Sequence, residues 1–381
     1  MQKNLVLLYL LFLKMNNYEY TFLVYAEFFV CITLFGLVIN TILLKFSKTL
    51  GIREKENTMI RWSSVSKPAL GGITFFMSFL VSTACFGILF DHNELFKNGE
   101  IISLIGALCL AFIMGLADDA YDTKPWLKFF IQITCALILI FGSLKSGNQY
   151  HIISIFENNY FNYLITVIWV VGIMNSINML DNMDGITTVT SIFIILSALF
   201  FLAFGNGFEH YDFMILLGIM GGLISFLFYN WTPAKIYMGD SGSQFLGLLL
   251  AVIGIKYFWN SHIFETQEVI PSRQIIIVLL IFILPISDTT SVFINRIARK
   301  QSPFVGGKDH TTHHLSFYGF NNTQIIFIYS GIAFLSSLIA IALYRFGSTW
   351  SITYFLFYII YILTIFFSLY ITTQQHKELR K

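Results

Sequence analysis

Residues 101–125 read IISLIGALCLAFIMGLADDAYDTKP. The stretch 101–117 is almost wholly apolar and runs directly into Asp118, Asp119 and Asp122. A helix needs about 20 residues to cross a bilayer core, and a carboxylate inside that core is costly. The stretch therefore predicts a transmembrane helix that carries its acids at one end. Comparable apolar runs fall at 22–45, 69–90, 126–143, 161–176, 185–204, 212–229, 241–259, 274–291, 324–344 and 350–370. Their lengths predict an all-α polytopic membrane protein of about eleven transmembrane helices. Composition agrees: 12% of the residues are charged and 56% hydrophobic, against about 25% charge in soluble domains. The run at 161–176 is short and ends in polar residues, which predicts a tilted or partly buried span. Pro285 lies within 274–291 and predicts a kink there.

The expected layout is a transmembrane domain over 22–370, a tail at 371–381, and an N-terminal segment, 1–21, of open status. Within that segment, 5–13 is apolar but too short to span. Cys31, Cys85, Cys109 and Cys135 are scattered and form no C-x-x-C pair, so neither a zinc site nor a disulfide framework is expected. No nucleic-acid-binding motif is present.

Eleven spans put the termini on opposite sides. The loops 45–68, 118–128, 175–184, 230–240 and 292–323, with the tail, hold 16 of the 23 Lys and Arg residues. The positive-inside rule makes that side cytoplasmic. Every conspicuous polar cluster falls on it, although none was used to choose the orientation. The expected active-site cleft is therefore at the cytoplasmic face of the inner (plasma) membrane.

Four clusters carry the chemistry. In the first, Asp118, Asp119 and Asp122 repel one another unless a cation intervenes, which suggests a divalent metal. Lys124 follows and can meet a phosphate. In the second, Asn175, Asn178, Asp181 and Asp184 recur every three residues and lead into Gly185. Oxygen donors of this kind suit Mg²⁺ or Mn²⁺ better than zinc. In the third, Asp240 sits in Gly239-Asp240-Ser241-Gly242-Ser243 at the start of a span, where backbone amides favour an anion. An N-cap role for Asp240 or Ser241 is the plainer alternative. In the fourth, His310, His313 and His314 follow Lys308-Asp309 in the longest loop of that side and read as anion contacts. Lys67 abuts the second span and can hold a lipid phosphate.

Taken in order, Asp118-Asp119, Asn175-x-x-Asn178-x-x-Asp181-x-x-Asp184-Gly185, Gly239-Asp240-Ser241-Gly242-Ser243 and Asp309-His310-x-x-His313 resemble the polyprenyl-phosphate N-acetylhexosamine-1-phosphate transferases. The resemblance covers roughly 25–345. It implies transfer of a sugar 1-phosphate from a UDP-N-acetylhexosamine to undecaprenyl or another polyprenyl phosphate. UMP is released, Mg²⁺ is required, and synthesis of a cell-surface polysaccharide begins. It further implies that Asn178 and Asp240 hold the metal, that Asp118, Asp119, Asp181 and Asp184 are catalytic, and that Lys67, Lys124, Asn175, His310 and His313 bind substrate. Two departures stand out. The usual Pro-Arg-x-Gly-Gly is here Lys67-Pro68-Ala69-Leu70-Gly71-Gly72, and His-x-His-His is here His310-Thr311-Thr312-His313. The His-His-His run of the phospho-N-acetylmuramoyl-pentapeptide transferases is absent, which favours the simple N-acetylhexosamine branch over that alternative.

The lipid acceptor is mostly dianionic at pH 7, since a phosphate monoester has its second pKa near about 6. Asp118 and Asp119 are thus expected to position metal and acceptor more than to remove a proton. An aspartyl-phosphate route is the competing mechanism. Two rival functions fit less well. A transporter would place its polar groups near the bilayer midplane, and a CDP-alcohol phosphotransferase needs an Asp, Gly and Arg spacing that does not occur here. The sugar, the polyprenyl length, the pathway and the oligomeric state, a homodimer included, stay open.

Overall fold

In a computed structural model of the protein, residues 17–47, 68–89, 97–147, 150–204, 211–261, 270–302, 307–346 and 350–375 are described. Lys67, the run 5–13 and the tail after residue 375 lie outside the described residues. The rest folds into helices: α1 (Asn17–Ser47), α2 (Gly71–Leu89), α3 (Gly99–Tyr121), α4 (Pro125–Ser146), α5 (Asn159–Leu180), α6 (Ile186–Phe204), α7 (Tyr211–Asn230), α8 (Gly239–Ile253), α9 (Pro271–Ile281), α10 (Ile283–Ala298), α11 (Thr311–Phe317), α12 (Asn322–Phe346) and α13 (Ile352–Gln375). α8 continues as a π-helical turn, Gly254–Trp259. Among the described residues no strand forms, and a single parallel bridge joins Ala69 to Tyr237. Among the described residues ten helices are long and apolar enough to cross a membrane, or eleven if the bent pair α9–α10 is one span. The chain is an all-α, multi-pass membrane protein.

Local chemistry sets the ends. The Asn98 side chain caps α3 by accepting from Glu100 N at 2.9 Å, and Asn158 caps α5 the same way through Tyr160 N. An oxygen there satisfies amides that have no partner within the helix. Pro125 opens α4, where its missing N–H costs nothing, and Gly147 closes it in the left-handed region at φ 75°.

One expectation needs correction and another holds. The fifth span is not short: α5 runs on through Asn175 and Asn178 to Leu180. Those amides face protein rather than lipid, so the helix need not stop before them. The kink expected within 274–291 is present at Phe282, where α9 and α10 meet at 83°. Pro285 has no N–H to offer the Ile281 carbonyl, and its ring clashes with that group, so the break appears one turn earlier.

α8 is the axis of the bundle. Its span is almost wholly buried in protein, whereas α13 is almost wholly on the outside. It packs mainly on α3, α5 and α2. Small residues permit the close approach. A methyl group at Gly115 of α3 would sit 2.2 Å from the Asp240 carbonyl oxygen and 2.5 Å from Ser241 Cα. Gly115→Ala therefore forces the first turn of α8 away from α3 and is expected to destabilise the protein by about 1–3 kcal/mol. Gly106→Ala, in the same helix but with nothing within 4 Å, is the control. Thermal unfolding in detergent checks the pair, and equal melting temperatures would refute the tight contact.

Candidate active site

One cavity of about 1660 Å³ gathers residues from all four clusters. Ordinary small-molecule sites are about 300–1000 Å³, so this one has room for two substrates. Asp119, Asn175, Asn178, Asp181, Asp184, Asp240, Lys308, His310 and His313 all line it. Asp118 and Lys124 do not line it, Lys124 being exposed. The cation that enters from α4 is Lys128. It lies one helical turn after Lys124, and that turn carries its ammonium inward.

The first cluster resolves its own repulsion without a metal. Asp118 is buried and accepts from Thr123 N at 2.8 Å and Thr123 Oγ1 at 2.6 Å. Its other oxygen pairs with the Lys128 ammonium. Asp119 Oδ1 accepts from Asp240 N at 2.8 Å, and Asp119 Oδ2 accepts from Ser241 N at 2.9 Å. A carboxylate from α3 thus serves as the cap of α8, where helix amides favour negative charge. Met238, the residue in the cap position, supplies no side-chain acceptor. Asp122 does not continue the helical face of Asp118: it ends α3 in the left-handed region at φ 56° and is exposed.

With its helix capped from outside, Asp240 is released from the N-cap role and faces the cavity. Asn178 Nδ2 donates to Asp240 Oδ1 at 2.5 Å and to Ser243 Oγ at 2.8 Å. Lys128 Nζ lies 3.7 Å from Asp240 Oδ2. Gly239 takes φ +76° at the turn, where a side chain would also press on Ala69 O and the Asp119 carboxylate, each 2.9 Å from its Cβ. Asn175 is tied into a buried amide chain, donating to Gln132 Oε1 at 2.7 Å while Gln132 donates to Gln244 at 3.1 Å. Sequence reasoning did not find Lys128, Gln132 or Gln244, whose polar heads lie inside apparently ordinary spans.

The loop after α5 is pinned at both ends. Asp184 Oδ2 accepts from Ala234 N at 2.8 Å, and Gly185 N donates to Asn230 Oδ1 at 2.9 Å. Asp181 stays turned to the cavity. Burial, with Asp119 and Asp184 adding like charge, raises its carboxyl to about 7. The raised value has a sign for stability. Below the ordinary range near 3.8 the group is protonated in both states. As pH rises toward 7 only the unfolded chain ionises freely, so folding loses stability across that window and none further above it. Asp181→Asn removes this loss. In chelator-treated detergent solution the variant is expected to gain about 5 °C over wild type at pH 8 and little at pH 4. Melting curves at both pH values check it, and a pH-independent gap would refute it.

From the other side come α10 and α11. Arg296 donates to Asp309 through Nε at 2.9 Å and Nη2 at 2.7 Å, and Arg299 Nη2 adds a third bond at 2.7 Å. Burial would raise the Asp309 carboxyl, but these guanidinium bonds hold it well below the usual carboxylate range. His313 is lowered to about 3 by burial and by neighbouring His310, so it meets a ligand as a neutral ring. Thr312 Oγ1 donates to Asn182 Oδ1 at 2.6 Å and locks α11 to the loop after α5.

Away from these charges the cavity wall turns apolar, through Trp126, Phe129, Ile133, Val167, Ile168 and Val171 of α4 and α5. Trp126 and Ile168 are largely exposed, so this apolar wall reaches the outside of the bundle.

Comparison with known proteins gives a consistent picture. Residues 101–258 match the model of glycosyl transferase family 4. A probable undecaprenyl-phosphate N-acetylglucosaminyl 1-phosphate transferase of Bacillus subtilis is 27% identical over 295 residues, 77% of this chain and 77% of the relative. Phospho-N-acetylmuramoyl-pentapeptide-transferases of Streptococcus sanguinis and Thermotoga maritima are 25% and 24% identical, over 77% and 76% of this chain and 89% of each relative.

Proposed function

We propose, from the match of residues 101–258 to glycosyl transferase family 4 and the likeness to the Bacillus subtilis relative, that the chain transfers an N-acetylhexosamine 1-phosphate from a UDP-sugar to a polyprenyl phosphate and releases UMP. The observation that carries the reading is the composition of this cavity. An acidic and amide cluster with Lys128, Lys308 and His310 lies at its polar end, and an apolar wall that reaches the bundle surface runs from it. A reaction between a water-soluble sugar nucleotide and a lipid phosphate requires both surfaces in contact.

The residues fit a divalent ion of the magnesium type. Asp240 and Asn178 are adjacent oxygen-bearing side chains, and Asp181 stands in the same cavity. Mg²⁺ is commonly held by one or two carboxylates, water and substrate phosphate rather than by an all-protein cage. Among the described residues no group of three or more His, Cys, Asp or Glu forms such a cage. Asp240 and the Asn178 amide oxygen would hold the ion, and when bound it neutralises diphosphate charge.

The chain's own groups supply positioning. Phosphoryl transfer needs orientation and charge compensation more than covalent help. An oxygen of the lipid phosphate attacks the phosphorus that bears the sugar, and the diphosphate bridge breaks to free UMP. The acceptor is already a dianion at neutral pH, so no side chain has to take a proton from it. Lys128, paired with Asp118 and near Asp240, stands where a phosphate oxygen would meet its ammonium. Lys308 and His310 face the same space. The excess of Lys and Arg on this side of the bundle supports a cytoplasmic cavity in the plasma membrane, with 22–370 as a single transferase domain.

The test uses membranes carrying the protein, undecaprenyl phosphate, Mg²⁺ and a panel of UDP-N-acetylhexosamines together with UDP-N-acetylmuramoyl-pentapeptide. UMP release with one N-acetylhexosamine donor, dependent on acceptor and abolished by chelator, is expected. Release with the pentapeptide donor alone would favour the activity named for the Streptococcus relative, and no release with any donor would end the reading.

A further inference from the structure

Asp288 lies on α10, flanked by Ser287 and Thr289, and is completely buried. A carboxylate in such a place is expensive unless its lone pairs are satisfied. Three donors satisfy it, all from the start of α11. Thr311 N donates to Oδ1 at 2.8 Å, Thr311 Oγ1 donates to Oδ1 at 2.6 Å, and His310 Nδ1 lies 2.8 Å from Oδ2. The Thr311 hydroxyl has one hydrogen and gives it to Asp288, so the Tyr329 hydroxyl, 2.5 Å away, must donate to Thr311. An ionised carboxylate only accepts, which fixes the His310 tautomer: Nδ1 carries the proton shared with Asp288. Nε2 is left as the ring nitrogen for the cavity that His310 lines.

We infer that Asp288 is a positioning residue. It sets the orientation and tautomer of His310, so that Nε2 is presented to the donor substrate in the cavity. The inference rests on the transferase reading for the identity of that substrate. The geometry matches the general arrangement in which a buried carboxylate holds a working imidazole by its far nitrogen. The charged and titratable groups around the ring are few. α10 brings Asp288 and Arg296, and Arg299 follows directly after it; both guanidiniums are engaged by Asp309. The ring's own segment brings Lys308, Asp309 and neutral His313, and the loop after α5 brings Asp181 and Asp184 to the same cavity. α12 brings Tyr329, and α13 has no charged residue between Ile352 and Gln375.

The experiment reads kcat and KM for UMP release in purified protein, and the affinity for UDP-N-acetylglucosamine by calorimetry. Asp288→Asn is expected to lower kcat/KM about 100-fold, to weaken that affinity, and to cost less than about two-fold in the His310→Gln background. Asp288→Glu, which keeps an acceptor for Nδ1–H, should recover part of the loss. The same loss with and without His310 would overturn the inference by making Asp288 a purely structural group. If Asp288→Asn does not fold, Asp288→Glu takes its place in the same cycle, and additive losses overturn the inference. Absence of UMP release from wild type with every donor would instead strike the transferase reading, while the coupling of Asp288 and His310 in sugar-nucleotide affinity still judges the pair.

Discussion

Asp240→Asn is expected to reduce turnover by about 1000-fold or more while leaving the melting temperature within about 2 °C of wild type. The two halves of that expectation come from one arrangement. Asp240 sits in the first turn of α8, and a carboxylate there would ordinarily be credited with capping the helix. Here the cap is Asp119, whose two oxygens take the Asp240 and Ser241 amides. The Asp240 side chain is thereby free of any duty to its own helix. It accepts from Asn178 and stands 3.7 Å from the Lys128 ammonium. Asn keeps the volume and an acceptor oxygen for Asn178 but loses the charge that would hold a divalent cation. Steady-state UMP release titrated with Mg²⁺, beside a thermal melt in detergent, checks both halves. A variant that keeps more than a tenth of wild-type turnover would remove Asp240 from the metal role. A large drop in melting temperature would mean that its charge serves the fold instead.

Much of the bundle was legible because lipid imposes a coarse rule. An apolar run ending in Asp118 and Asp119 has few alternatives to a span with a polar end, and α3 follows it closely. The three-residue recurrence of Asn175, Asn178, Asp181 and Asp184 was legible as well, since four acceptors at a helix end need a common purpose. What escaped were facts about direction. Lys124 and Lys128 are one turn apart, and only packing against α3 decides that Lys128 reaches Asp118 and the cavity. Asp288 escaped because it stands alone: no neighbour in sequence repeats its chemistry, and its three donors come from a loop beyond α10. A carboxylate within an apolar run was the available signal, since such a group is retained only where something compensates it. The mutual repulsion of Asp118 and Asp119 was read as a demand for metal. An ammonium and two helix amides meet that demand, and the metal argument moves to Asp240 and Asn178.

Asp119→Asn is the sharper test of mechanism, because a general base and a positioning carboxylate respond to it differently. In the positioning account, both oxygens of Asp119 are engaged by the amides of Asp240 and Ser241. Asn can accept with one oxygen only. Its NH₂ would face a second N–H, donor against donor, and an unsatisfied pair of that kind costs about 1–3 kcal/mol. The first turn of α8 must shift to relieve it, and Asp240 shifts with it. Turnover is then expected to fall about 100- to 1000-fold. The loss should be the same from pH 6 to pH 9, because no proton is waiting to be removed from a dianionic acceptor. If Asp119 were instead the base that deprotonates the acceptor, raising the pH would supply the dianion without its help, and activity would recover toward the alkaline end. The pH–rate profile of the variant, set against wild type and against Asp119→Glu, separates these outcomes. Failure to trap phosphorylated protein when donor is supplied without acceptor would further weigh against a covalent route. The two amide bonds to Asp119 lower the electron density on both of its oxygens, which makes the carboxylate a weaker nucleophile.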